Sequence, residues 1–159
     1  MAVESSLTGH LVLSTLHTNS AATTVTRLLE IGVPAYLLNA TLLAVLAQRL
    51  VKKNCEHCLR EEDVPSHVRQ AFGGNESEAF YRGCGCDKCH GTGYSGRLAV
   101  YELMQLSPEI RELIQPNVNA ADIERAAIKS GMVPLTCNAL SLARAKKTSL
   151  NEVYRVRLI

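Results

Sequence analysis

An α/β fold is predicted, mostly helical, with a cysteine-rich module set between two helical stretches. Three observations predict it. Leu11 to Leu16 is a short apolar run of the kind that forms a strand buried on both faces of a parallel sheet. Glycine and proline punctuation cuts much of the remaining chain into segments of helical length. Two Cys-x-x-Cys pairs, Cys55/Cys58 and Cys86/Cys89, bracket a stretch rich in glycine.

The elements follow in order. The strand Leu11 to Leu16 ends at His17, and Thr18-Asn19-Ser20 supply N-cap side chains for the next helix. That helix spans Ala21 to Ile31, buries Val25, Leu28 and Leu29, and stops at Gly32 with Pro34 beyond. A second helix is predicted from Ala35 to Lys53, with Lys52 and Lys53 complementing its C-terminal dipole. Residues 54–96 read as loop-rich, with clustered glycines and cysteines. Arg97 to Leu106 reads as a strand carrying Leu98, Val100, Tyr101 and Leu103, and within it Glu102 needs a partner, for which Arg97 is the nearest cation. Ser107-Pro108 opens a short helix with Ile110, Leu113 and Ile114. Asn119 opens another that ends at Gly131, and a further helix runs from Pro134 to Lys146. Ser149 with Glu152 has capping-box spacing for the last one. Cys137, on a helix, reads as a small core residue.

The four paired cysteines form two chelating knuckles, and four thiolates are the tetrahedral set that a structural zinc prefers. A closed shell of thiolates leaves no position open for chemistry. Cys84, His57 and His90 lie close enough to substitute for a ligand, and free thiols or disulfides are the remaining alternatives. Cys86-Asp87-Lys88-Cys89-His90-Gly91-Thr92-Gly93 also fits one knuckle of the DnaJ-type cysteine-rich domain. The first pair, followed by Leu59-Arg60-Glu61-Glu62, lacks that pattern's glycines. A zinc-stabilised binding module of that kind, or a zinc ribbon, is the alternative reading of the chain.

Composition bounds the rest. The chain has 159 residues, 20% of them charged, with a net charge of +2 that is too small to argue for nucleic acid. There is no signal peptide pattern. Ala35 to Val51 is too short and too polar for a membrane span. A soluble cytoplasmic protein is the expectation. His17, at a strand end ahead of a helix N-terminus, stands where a phosphate would be handled. His10 lies roughly 23 Å away along an extended strand, on the opposite face, so one strand cannot bring both to one phosphate.

The segment Leu7-Thr8-Gly9-His10-Leu11-Val12-Leu13-Ser14-Thr15-Leu16-His17-Thr18-Asn19-Ser20-Ala21 resembles the histidine box of the secretion-superfamily ATPases, the hexameric motors of type II secretion and type IV pilus assembly. Thr26-Arg27-Leu28-Leu29-Glu30, Ala47-Gln48-Arg49-Leu50-Val51, both cysteine pairs and Gly91-Thr92-Gly93-Tyr94-Ser95-Gly96-Arg97 match in order. No Gly-x-x-x-x-Gly-Lys-Ser/Thr phosphate loop occurs, and no acidic Walker B strand precedes the histidine box. In the family both lie upstream, so the natural polypeptide is expected to extend beyond Met1.

The resemblance implies residues 1–54 as the second part of a RecA-like ATPase core, here only partial. Residues 55–96 would be the zinc module, and 97–159 a C-terminal strand and helical region. It implies His17 as a phosphate sensor, His10 as a weaker catalytic candidate, and Arg27 and Arg49, both on helices, as contacts to nucleotide or to a neighbouring subunit, with Arg49 the nucleotide-binding candidate. It implies structural zinc on Cys55, Cys58, Cys86 and Cys89, and ATP with magnesium in the full-length protein. Finally, it implies a homohexamer at the cytoplasmic face of the inner membrane, partnered by platform components of the secretion or pilus machine and not by nucleic acid.

Overall fold

Helix α1 (Ala2–Leu7) leads into an irregular segment, and helix α2 (Ala21–Glu30) begins at Ser20. In the computed structural model, residues 2–72 and 78–157 are described. Ser20 Oγ accepts from the Thr23 N–H, and Thr23 Oγ1 accepts from the Ser20 N–H, a reciprocal cap that sets the start of α2. Helix α3 (Ala35–Thr41) follows Pro34 and stops at Leu42. Then come β1 (Ala44–Asn54), β2 (Leu59–Glu62), α4 (Ser66–Ala71), β3 (Phe80–Gly83) and β4 (Tyr94–Gln105). The chain closes with α5 (Pro108–Leu113), α6 (Ala120–Lys129), α7 (Leu135–Arg144) and α8 (Leu150–Arg157).

β1 pairs with β4, and β2 pairs antiparallel with β3 in the register Leu59 to Gly83 and Glu62 to Phe80. The chain divides into two units, residues 1–47 with 102–134 and residues 48–101 with 135–159.

The first unit buries Ala21, Ala22 and Val25 of α2, Leu38 of α3, Val45 and Met104 of the strands, and Ile110, Ile114, Ile123 and Ala127 of the helices after β4. Ser107 Oγ caps α5 and Asn119 Oδ1 caps α6, as their sequence positions predict. Arg111 ties α5 to the end of α3. Its guanidinium donates to the carbonyls of Asn39 and, at 2.9 Å, Leu42, which the α3 terminus leaves unpaired.

The second unit packs α7 and α8 on β3, with Phe80, Val51, Leu140, Ala143 and Val153 buried. Thr148 Oγ1 donates to the Lys52 carbonyl at 2.7 Å, and Glu152 Oε2 accepts from the Lys52 N–H at 2.8 Å. The turn before α8 thus binds the edge of β1.

Five expectations are corrected. Leu11 to Leu16 is not a strand and is not buried, since Leu11 is 78% and Leu13 89% exposed. A strand apolar on both faces needs neighbours on both sides, and among the described residues none pairs with this segment. The helix predicted over 35–53 is α3 followed by β1, where Val45, Ala47 and Val51 point inward and Leu46 and Leu50 outward. Arg49 and its neighbours therefore sit on a strand, not a helix. Glu102 accepts from the Ala21 N–H at 2.7 Å, and among the described residues no ion pair joins it to Arg97. Cys137 is exposed, on the outer face of α7. Ser149 and Glu152 do not close a capping box. Ser149 Oγ meets the Tyr94 hydroxyl at 2.7 Å, and the Glu152 carboxylate serves Lys52 and Arg155.

Candidate metal centre and histidine segment

The first knuckle forms where β1 ends. Asn54 pins that end: its N–H donates to the Lys147 carbonyl at 2.8 Å, and its Nδ2 to the carbonyls of Tyr81 and Lys146. Cys55 follows at once, its N–H donating to the Gly93 carbonyl at 2.9 Å, and a single 3₁₀ turn, Glu56–Cys58, brings Cys58 round to the same side. The second knuckle repeats the design. Cys86 precedes a 3₁₀ turn, Asp87–Cys89, and the chain leaves it through His90 in the left-handed region, φ 51°. The Gly91 N–H then donates to the Cys86 carbonyl at 3.0 Å.

Glycines let the two loops touch backbone to backbone. A Cβ on Gly83 would lie 1.9 Å from the Gly93 carbonyl oxygen, and one on Gly85 would lie 2.6 Å from that of Gly91. Neither obstacle is a flexible side chain, so the loops would have to part. Gly83→Ala is expected to destabilise this module by at least about 3 kcal/mol. The check is the midpoint of chelator-induced unfolding, which should fall well below that of the unaltered chain.

The four sulfurs meet. Every Sγ among Cys55, Cys58, Cys86 and Cys89 lies within 4.8 Å of the others. Cys55 to Cys86 is 3.9 Å, Cys58 to Cys89 is 3.8 Å and Cys86 to Cys89 is 3.7 Å. Four thiolates around a zinc at Zn–S of about 2.3 Å stand about 3.8 Å apart, so the set fits a tetrahedral metal ion.

Backbone donors support the sulfurs. Cys89 Sγ accepts from the N–H groups of Cys86 and Gly93, both at 3.2 Å, and Cys58 Sγ from the N–H of Gly85 at 3.3 Å. Burial opposes ionisation of Cys89, but those N–H groups, with the thiols of Cys86 and Cys58, outweigh it and hold its pKa below the ordinary thiol value. Burial, reinforced by the thiols of Cys55, Cys86 and Cys89, pushes Cys58 up despite the Gly85 N–H. A bound cation would reverse that cost.

The substitute ligands stand outside this group. Cys84 is exposed and its thiol donates to the Cys58 carbonyl at 3.2 Å, while His57 and His90 are exposed. The six cysteines are all free thiols.

The other candidates are dispersed. His17 is exposed, in the irregular segment between α1 and α2. His10 is exposed near the end of α1, its Nδ1 3.0 Å from Thr8 Oγ1. With no strand between them, the extended-strand separation does not apply. Arg27 forms an exposed ion pair with Glu30 at 3.1 Å, the ordinary fate of a helical arginine. Arg49 is half-buried on β1. Sequence reasoning missed the use of Glu102. The helix start expected to attract a phosphate already receives that carboxylate at Ala21. The signal was present as a lone acid in the apolar run Leu98 to Met104, but its partner lies far away in sequence.

A mixed helix-and-strand chain carrying a four-cysteine knuckle centre downstream of a histidine-bearing segment defines the class. The chain belongs to the type II/IV secretion system protein family, whose model matches residues 1–155. It is 42% identical over 160 residues to the type IV pilus assembly ATPase TfpB of Acinetobacter baylyi, covering 98% of this chain and 27% of that protein. It is 43% identical over 157 residues to the type IV pilus assembly ATPase PilB of Thermus thermophilus, covering 96% of this chain and 18% of that one. The type II secretion system ATPase E of Vibrio cholerae is 39% identical over 158 residues, covering 98% of this chain and 31% of that protein. The chain thus spans between 18% and 31% of the length of these relatives. No helix among the described residues is long and apolar enough to cross a membrane.

Proposed function

We propose that this chain is the part of a type II secretion or type IV pilus assembly ATPase that carries the histidine box and a zinc-held structural module. The observation that carries the reading is the family match over 1–155, with relatives that are themselves named as assembly ATPases. In this reading residues 1–54 complete a RecA-like core whose phosphate loop and Walker B acid come from a longer polypeptide, and 55–96 form the zinc module. Residues 97–159 are the C-terminal strand and helices. The exposed leucines at 11, 13 and 16 support the first part, since they are the side chains a further layer of that core would cover.

Cys55, Cys58, Cys86 and Cys89 hold the zinc, which supplies cross-linking and no reaction chemistry. His17 addresses the terminal phosphate of ATP, bound with magnesium by the longer protein. His10 has the lesser role and Arg49 a nucleotide contact. The assembly is a homohexamer at the cytoplasmic face of the inner membrane, working on platform components of the machine.

The test is turnover. The chain alone is expected to hydrolyse no ATP, because nothing in its sequence can cradle the β- and γ-phosphates. A protein of the relatives' full length containing it is expected to do so. Robust, magnesium-dependent turnover by the chain alone overturns the reading.

A further inference from the structure

The inward row of β4 contains Val100, Glu102 and Met104, so an acid stands where the pattern calls for an apolar side chain. Burying a carboxylate is costly unless it gains a partner. Glu102 is 4% exposed, and its Oε1 accepts from the N–H of Ala21, the first residue of α2, at 2.7 Å. That N–H is among those a helix start leaves unpaired, at the positive end of the helix dipole. Two of the following donors are used locally, the Thr23 N–H by Ser20 Oγ at 3.1 Å and the Thr24 N–H by the Ser20 carbonyl at 3.2 Å. Thr18 Oγ1 lies 2.7 Å from Thr24 Oγ1. Residues 18–21 are therefore tied to the first turn of α2, and that turn is tied to β4 through Glu102. His17 is the next residue upstream.

We infer that Glu102 is a positioning residue for His17, anchoring the start of α2 so that the histidine segment leaves the helix in a fixed direction. The inference rests on the proposed role of His17 in ATP hydrolysis. Glu102 does not approach the phosphate itself, because two anions would repel; it acts from behind, through the helix start.

A double-mutant cycle in the full-length ATPase tests this. Glu102→Ala is expected to lower kcat about tenfold while leaving KM for ATP within about twofold, the pattern of a group that matters in the transition state. Glu102→Gln keeps an acceptor oxygen and is expected to retain at least about half the rate. In a His17→Ala background, Glu102→Ala is expected to change kcat by less than about twofold, because the two residues act in series.

A tenfold loss that persists in that background makes Glu102 merely structural and overturns the inference. So does an unchanged kcat in Glu102→Ala, or a loss in Glu102→Gln as deep as in Glu102→Ala. A silent His17→Ala overturns the role of His17, and is told apart because it appears without any change at Glu102. Should Glu102→Ala fail to fold, Glu102→Asp, which keeps the charge but withdraws it from Ala21, takes its place in the cycle with the same expected coupling and the same contrary results.

Discussion

In the full-length ATPase, His17→Ala is expected to cut ATP hydrolysis by about a hundredfold, the scale of losing one preorganised group at a developing phosphate charge. His10→Ala is expected to cost far less. The contrast rests on where each residue sits. His17 stands three positions ahead of the Ser20 cap of α2, whose start is held by Glu102. His10 follows α1, and its ring is engaged by Thr8. Initial rates at saturating ATP for both variants, with hexamer formation checked alongside, measure the difference. Equal losses would mean that His10 also reaches the nucleotide, from its own subunit or a neighbour.

Cys55→Ser is expected to reduce bound zinc from one per chain to below about 0.2 and to unfold the knuckle module, because metal-binding energy in such a site is folding energy. Cys55 has the most to lose. It is buried, its sulfur lies 3.9 Å from that of Cys86, and its N–H holds the Gly93 carbonyl at the point where the two loops cross. Helices α2 and α6 bury their own apolar faces in the first unit, so they are expected to survive the loss. Cys84→Ser is the control, since its thiol donates to the carbonyls of Cys58 and Gly85 and stands outside the four clustered sulfurs, and it should retain zinc fully. Elemental analysis and far-UV circular dichroism of the two variants provide the check. Zinc retained in Cys55→Ser, or lost in Cys84→Ser, reassigns the ligands.

What was legible in the sequence was local. The knuckles could be read because each pair closes its chelate within one turn and needs nothing from elsewhere. The starts of α2, α5 and α6 could be read because Ser20, Ser107 and Asn119 cap their own helices. What depended on distant partners was not legible. Ala44 to Val51 carries apolar residues on both faces, so period alone could not tell helix from strand; pairing with β4 decided it.

Ser149 and Glu152 have the spacing of a capping box, yet Tyr94 and the Lys52 N–H outcompete the local bonds. Cys137 was assigned to the core from its residue type, but the face it occupies on α7 is set by packing that no short window contains. At the candidate site the same divide holds. The four clustered cysteines were visible, whereas the Gly83–Gly93 backbone crossing and the Glu102–Ala21 hydrogen bond join residues remote in sequence.

The four-cysteine cluster lies wholly within this chain, and X-ray absorption at the zinc edge on the purified chain tests directly the proposal that it holds zinc. One zinc per chain with four sulfurs at about 2.3 Å is the expected result. A chain that binds no zinc, or a first shell in which nitrogen or oxygen replaces a sulfur, would contradict it.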